Sequence, residues 1–449
     1  AWRGHRGFSN GAGWNHRGDR KPQRTNCGRT VASGRADPYS AGDEPPFCGS
    51  GRKKQQIQRK KVTIWSRAKR KKNCDGALNR YEKIRMDKDA IPKAESRNRS
   101  GGKKRMNRTI RVSAAGDILI MKRLLPGYQD VLPIREFLMR GEVRMANLET
   151  TISDGSCYAS AYSGGTWLTA DAKCLEDTLR YGFNFLGISN NHTMDYSYEG
   201  LASTIRELKK KDVAYAGAGK NLYEASRPAI LDTTAGQIAV IDICSTFENA
   251  ARAGSQTERQ PGRPGLNPLR FSEKYTITEK HAQDLAKIAE VTGINGLRDL
   301  HRQEGFIAPL PEGVMEFGGK MFEISKDGTE GRSSSPNPID VKRTVDAIRE
   351  AKMTCEAVLV MVHSHEIRKD NDEEADYFLE EFAHACIDAG ASAVIGGGTH
   401  QLKGIELYHD CPIFYCLGNF IFENQYVRLL PADYMEKYGL NIHTAASIG

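Results

Sequence analysis

The stretch Phe183-Asn184-Phe185-Leu186-Gly187-Ile188, followed at once by Ser189-Asn190-Asn191-His192, decides how this chain reads. A mostly apolar run with the length of a buried strand gives way to four residues that can cap, ligate or carry protons. Residues 171–181 before it have helical spacing, and residues 201–211 after it form an amphipathic helical pattern. The unit is helix, strand, polar strand end, helix.

That unit recurs in both directions. Residues 109–115 form a β-type run ending in Gly116-Asp117, and residues 143–148 form a second ending in Asn147-Leu148-Glu149, with a helical pattern over 131–140 between them. Short strands are expected near Ala214, over 229–231 and over 238–243. Farther on, residues 357–362 run into His363, and residues 393–395 enter Gly396-Gly397-Gly398-Thr399-His400. Helical patterns over 341–352 and 376–389 flank these two strands. Final strands over 403–408 and 412–417 lead to Gly418-Asn419-Phe420. Residues 251–271 and 328–338 are rich in Gly, Pro or Ser and read as loops, with helices over 279–290 and 296–302 between them. Strands alternating with helices predict an α/β fold, a sheet with helices on its faces.

Charge divides the 449 residues in two. The net charge is +9, but residues 1–108 alone hold 30 Lys and Arg against 9 Asp and Glu, a balance of +21 that leaves the remainder at −12. Residues 1–108 show no sustained period. Runs such as Arg52-Lys53-Lys54 and Lys69-Arg70-Lys71-Lys72 repel themselves, so a disordered basic segment is expected there. The body is expected over 109–449. The basic segment suits nucleic-acid phosphates or another anionic surface. Every candidate ligand, however, lies in the acidic body, so the net charge is poor evidence for a nucleic-acid partner. The chain begins with Ala1, and the first strand follows Met106 closely. A further expectation is therefore that residues before Met86 or Met106 are upstream sequence outside the native protein.

No stretch approaches the roughly 18 consecutive apolar residues of a membrane span, and no secretory h-region opens the chain. A cytoplasmic location is expected. The ten cysteines are scattered without a Cys-x-x-Cys pair and read as reduced thiols.

In α/β sheets the crevice beyond the strand ends is where ligands bind. Taken singly, Asp117 or Asn191 reads as a helix cap. Together, Asp117, Glu149, Asn191, His363 and His400 are a metal-ligand inventory: two carboxylates to neutralise cations, an amide oxygen and two imidazoles to complete coordination. His192 is a candidate general acid, and Asp195, three residues on, is placed to hold its other ring nitrogen. His365 stands two residues beyond His363 and reads either as an extra ligand or as a substrate-facing residue. Gly396–Gly398 would let backbone approach a ligand closely. Arg263, Arg270 and Lys403 are candidate contacts for an anionic substrate.

These segments resemble the capsule-synthesis CapA family, also called poly-gamma-glutamate biosynthesis proteins, which have a calcineurin-like metallophosphatase fold. The resemblance rests on Ala115-Gly116-Asp117, Asn147-Leu148-Glu149 and Ser189-Asn190-Asn191-His192-Thr193-Met194-Asp195. It extends through Gly262-Arg263-Pro264-Gly265-Leu266-Asn267-Pro268-Leu269-Arg270, the His363 segment, Gly398-Thr399-His400 and Tyr415-Cys416-Leu417-Gly418-Asn419-Phe420. It implies a four-layer α/β sandwich and one or two divalent metal ions, of Mn, Zn or Fe type. Asp117 stands at the first metal-binding Asp, Glu149 in place of the second, Asn191-His192 at the Asn-His pair, His363 at the strand-end His and His400 at the last His of Gly-His-x-His. Two imidazoles of the general pattern are replaced, by Leu119 and by Gly398. Members of the capsule type are often membrane-anchored, so cell-envelope association is implied by the resemblance. A C-terminal part is expected to be missing, since the chain stops soon after Phe420.

Three functions follow as expectations. The first is a CapA-like metal-dependent hydrolase or transferase acting on an anionic polymer such as poly-gamma-glutamate, with other capsule-synthesis proteins as partners. The second is a non-catalytic polymer-binding accessory protein of the same fold. The third is nucleic-acid binding through residues 1–108.

Overall fold

Seven strands position the site: β1 (Val112–Leu119), β2 (Val143–Leu148), β3 (Phe185–Gly187), β4 (Gly236–Cys244), β5 (Ala357–Ser364), β6 (Ala393–Gly398) and β7 (Asn419–Phe422). They belong to a computed structural model that describes residues 109–125, 127–129, 131–427 and 430–441. The expected disordered segment over 1–108 lies outside those residues.

The first sheet has the order β7-β1-β2-β3 followed by Ala214–Ala216, with every neighbouring pair parallel. The second has six strands. Its centre, β6-β5-β4, is parallel, and Ala229–Thr233 closes the β4 edge in antiparallel sense. On the other side Cys411–Phe414 runs parallel to β6, and Ile405–Tyr408 closes that edge antiparallel.

Side chains alternate across a strand, and the burial pattern follows. Val143, Met145 and Phe185 of the first sheet share one buried cluster with Val240, Leu359, Met361 and Ile395 of the second. The intervening residues Ala146, Leu148 and Leu186 instead join Leu175 of α1 (Ala172–Leu179) and Leu201 and Leu208 of α2 (Ser197–Lys210). On the second sheet Val358, Val360 and Val362 join Ile348 of α3 (Pro338–Lys352) and Phe378 and Phe382 of α4 (Tyr377–Asp388). Strand β5 is thus covered on both faces, which is why it reads as a continuous apolar run rather than an alternating one. Fully buried rings such as Phe185 and Phe378 each contribute about 1.5–3 kcal/mol of transfer free energy.

Caps set the helix starts. The Asp171 carboxylate accepts from Lys173 N ahead of α1, Asp376 accepts from Tyr377 N ahead of α4, and Asn337 accepts from Ile339 N ahead of α3, where Pro338 takes the first turn.

The mixed α/β architecture agrees with the expectation, and three local readings are corrected. Residues 331–336 form a strand, not a loop, pairing antiparallel with Phe271–Thr278 in a separate four-stranded sheet. Gly and Ser are weak strand formers, and here the backbone ladder decides. Asp117 and His363 lie within their strands rather than after them, since β1 and β5 continue to Leu119 and Ser364. Residues 419–422 form β7, which pairs parallel with β1. Among the described residues no helix is long and apolar enough to cross a membrane.

Candidate metal centre

The C-terminal ends of the parallel strands in both sheets deliver the site. Asp117 sits where the β1–β2 register slips, between Ala114 and Asp117. Close backbone approach makes this possible: a side chain on Gly116 would put Cβ 1.8 Å from the Gly418 carbonyl oxygen, and one on Gly397 would put it 2.6 Å from Asp117 Oδ1. Asp117 Oδ2 in turn accepts from Gly398 N at 3.0 Å. The glycine run thus lets backbone approach the carboxylate of Asp117.

Asn147, on β2, ties the floor together. Its Nδ2 donates to Asp117 Oδ1 at 2.9 Å and lies 3.5 Å from Glu149 Oε2 and 3.1 Å from His363 Nδ1. Its Oδ1 accepts from Asn190 Nδ2 at 2.9 Å. A carboxylate at Oδ1 of Asp117 needs a donor, so this amide orientation is fixed and His363 Nδ1 accepts. His363 then carries its hydrogen on Nε2, 2.8 Å from Asn191 Oδ1 and 3.1 Å from His365 Nε2.

The groups expected to ligate converge, with one difference in emphasis. Asp117, Glu149 and His363 are fully buried and offer ligand atoms within 4.8 Å of one another; Glu149, His365 and His400 do the same nearer the surface. Glu149 belongs to both sets. Asn191 joins through its Oδ1, and its Nδ2 donates to the Gly164 carbonyl at 2.8 Å. His400 adopts a left-handed backbone, φ 59°, unusual for a side chain of this size. Its Nδ1 lies 2.8 Å from Asn419 Oδ1 and 3.5 Å from Asp117 Oδ2.

His192 Nδ1 lies 2.6 Å from Asp195 Oδ2. Asp195 also accepts from Leu168 N at 2.8 Å and, through Oδ1, from Gly164 N at 3.0 Å. One residue of the 153–168 loop, Gly164, therefore touches both the amide of Asn191 and the carboxylate that holds His192.

The charges are uneven. Burial pushes Asp117 up, but the His400 hydrogen bond, the nearby His363 ring and the Asn147 and Gly398 donors outweigh it and hold the carboxyl below its usual range. Burial and the nearby Asp117 charge push Glu149 well above that range. Burial drives His363 well down and, with His400 beside it, takes His365 to about 4. Burial also disfavours the His192 cation, yet the charge and hydrogen bond of Asp195 win and raise it.

A cation fits this donor set. Among the described residues Glu149 Oε1 is a buried oxygen with no hydrogen-bond donor, although it lies 3.6 Å from His363 Nε2 and 3.9 Å from His365 Nε2. An unpaired carboxylate oxygen facing imidazoles is a costly arrangement without a positive charge.

The arginines stand apart from this convergence. Arg270 makes a two-pronged pair with buried Asp340, from Nε at 2.8 Å and Nη2 at 2.9 Å. Arg263 donates to the Arg252 carbonyl at 3.2 and 3.1 Å. Lys403 is buried and donates to the carbonyls of Glu366 at 3.2 Å and Glu374 at 3.1 Å. Sequence reasoning missed Asn147, Asn190 and Asn419, although a lone amide after Met145-Ala146 in an apolar strand was a usable signal. It also missed Asp242 on β4, whose buried carboxylate accepts from Ser189 N at 2.8 Å and pins the loop that carries Asn191.

The profile of the family described as "Bacterial capsule synthesis protein PGA_cap" matches residues 111–424. The chain belongs to this family. PGA_cap matching therefore covers every residue of the convergent cluster. The chain is 29% identical over 318 residues to the uncharacterized protein y4sH of Sinorhizobium fredii, covering 69% of this chain and 66% of that one. It is 22% identical over 334 residues to the capsule biosynthesis protein CapA of Bacillus anthracis, covering 73% and 63%. It is 26% identical over 212 residues to a probable polyglutamine synthesis accessory protein of Mycobacterium tuberculosis, covering 45% and 52%. The chain thus spans less than two thirds of the length of these relatives.

Proposed function

We propose that this PGA_cap chain is a metal-dependent hydrolase or transferase acting on an anionic polymer of the poly-gamma-glutamate type, within capsule or polyglutamate synthesis. The observation that carries the reading is the unpaired Glu149 Oε1, buried among imidazoles and shared by two groups of candidate ligands. Asp117, Glu149, Asn191, His363 and His400 would hold one or two divalent ions of Mn, Zn or Fe type. A bound ion supplies Lewis acidity to a water or to the oxygen of the bond attacked. The chain's own residues do the rest. Asp195 holds Nδ1 of His192, which leaves Nε2 to carry a proton for a leaving group. Asn147 and Gly398 fix the two oxygens of Asp117. The helix and sheet clusters support the finer four-layer arrangement, with the site at one edge. The relatives' names support other synthesis proteins as partners and an association with the cell envelope.

A second reading is a polymer-binding accessory protein without chemistry. It is favoured by Leu119 and Gly398, which stand where the general pattern has imidazoles. Metal analysis separates the two. The enzyme reading expects at least one tightly held transition metal per chain, lost in Asp117→Ala and His400→Ala together with cleavage of poly-gamma-glutamate. Substoichiometric metal, with neither variant changing polymer handling, would leave the accessory reading.

A further inference from the structure

His365 stands at the mouth of the site, with 28% of its side chain exposed. We infer that His365 is a direct ligand of a transition-metal ion, sharing it with Glu149 Oε1, Asn191 Oδ1 and His363 Nε2. The inference rests on the metal-centre reading above and assigns His365 inward, not toward substrate.

Three donor atoms surround His363 Nε2. His363 Nε2 lies 2.8 Å from Asn191 Oδ1, 3.1 Å from His365 Nε2 and 3.6 Å from Glu149 Oε1, and His365 Nε2 lies 3.9 Å from that same oxygen. Ligands about 2.0–2.2 Å from a tetrahedral ion stand roughly 3.3–3.6 Å apart, and these four separations bracket that spacing. The set has three neutral donors and one carboxylate, two of them imidazoles, which suits zinc, iron or cobalt better than magnesium or calcium.

The position of His365 is built. Its backbone N donates to Thr246 Oγ1 at 2.8 Å, and that hydroxyl donates to Glu366 at 3.0 Å. No side chain can reach in from the neighbouring strand at the level of Ser364: its register partner Gly398 has φ 118°, and a Cβ there would meet the Ser364 carbonyl oxygen at 2.4 Å. The imidazole comes instead from the residue after Ser364. Its side chain keeps 28% exposure, so the shell opens to solvent beside it.

Binding balances simply. The hydrogen that His363 Nε2 directs at Asn191 Oδ1 occupies the place of the ion. On binding, that proton is released and Nδ1 takes one up, facing Asp117 Oδ1 at 3.7 Å, while Glu149 gives up to solvent the proton it carries in the metal-free fold. The Asn147 contact to Nδ1 is lost while its bond to Asp117 remains.

The test uses the full chain stripped with chelator and titrated with Co(II), then with Zn(II) in competition. Wild type, His365→Ala, His365→Gln, His365→Cys and the remote control His409→Ala are compared, with circular dichroism confirming the fold. The expected result is at least tenfold weaker Co(II) and Zn(II) binding and an altered Co(II) visible spectrum in the Ala and Gln variants. His365→Cys restores affinity with a sulfur charge-transfer band, and His409→Ala matches wild type. Unchanged affinity and spectrum in His365→Ala, with wild type binding well, overturn the inference alone. Wild type taking up neither ion overturns the metal-centre reading itself.

Discussion

Asn191 directs its Nδ2 to the carbonyl of Gly164 and its Oδ1 to His363 Nε2, each at 2.8 Å. The amide cannot flip without losing both contacts, so the oxygen is held toward the cluster before any ion arrives. A loop residue outside the ligand set thereby decides which atom of Asn191 is presented.

Gly164→Ala tests that relationship. An added Cβ would lie 2.7 Å from Asn191 Nδ2 and 2.8 Å from its backbone carbon. Displacing a residue that orients a ligand weakens metal binding by about 10–100-fold. Calorimetric titration of the stripped protein with Zn(II) checks this, with Gly296→Ala, whose Cβ meets nothing within 4 Å, as the control that should match wild type.

Asp195→Asn should move a pH profile. Burial lowers the proton affinity of His192, and the Asp195 charge and hydrogen bond more than reverse it. Removing the charge lets the imidazole lose its proton at lower pH, so the basic limb of any hydrolytic activity shifts acidic and the rate falls by about 10²–10⁴-fold. For stability the sign is parallel. The raised value stabilises the fold fully below the ordinary imidazole value of about 6.5, and that contribution is lost as pH rises through the folded value. Activity against a chromogenic phosphodiester and poly-gamma-glutamate, each followed across pH, checks the shift; coincident profiles would sink it.

Chelation should destabilise the protein more at higher pH. Burial and Asp117 raise Glu149 well above its ordinary 4.5. The metal-free fold therefore prefers a protonated Glu149. Its advantage is present below 4.5 and is lost as pH rises through the elevated folded value. A bound ion needs the carboxylate, so its stabilisation grows in that same direction. At a hundredfold excess over Kd the gain is about 2.7 kcal/mol. Thermal unfolding with and without Zn(II) should show a gap in Tm that widens from acid to neutral pH.

Arg270→Ala separates structure from recognition. Asp340 is fully buried and loses two of its donors with the guanidinium, although Arg343 Nη1 remains at 2.6 Å. The substitution should lower the unfolding free energy by roughly 1–3 kcal/mol while leaving metal affinity unchanged. Urea unfolding measures the first and Co(II) titration the second. A loss of polymer binding at unchanged stability would restore Arg270 as a substrate contact.

Much of the scaffold is visible in the sequence because β2, β5 and the capped helices announce themselves locally. Val143–Leu148 ends where its apolar run ends, and Asp171, Asn337 and Asp376 stand one residue before helices. The four-stranded sheet is not visible, since Gly331–Pro336 becomes a strand only by pairing with a segment some sixty residues earlier in the chain, where Phe271 faces Pro336. The site divides in the same way. Asp117, Glu149, Asn191 and His400 are legible as polar strand ends. Asn147 and Asn419 are hidden within strands, and Gly164 has no chemistry of its own to notice. The inward turn of His365 depends on where β5 stops, and nothing local marks Ser364 as its last residue.

The ligands come from both sheets and from opposite halves of the chain. Asp117 and His400 are 3.5 Å apart although residues 118–399 lie between them. During synthesis the first sheet is translated well before its β7 edge strand and before β5 and β6. A nascent chain therefore offers an incoming ion only the carboxylates and the Asn191 amide until β5 brings His363 and His365. Metal capture becomes a docking signal: an ion retained through gel filtration reports that β5 has met the loops of the first sheet, and a fragment ending before His363 should not retain it.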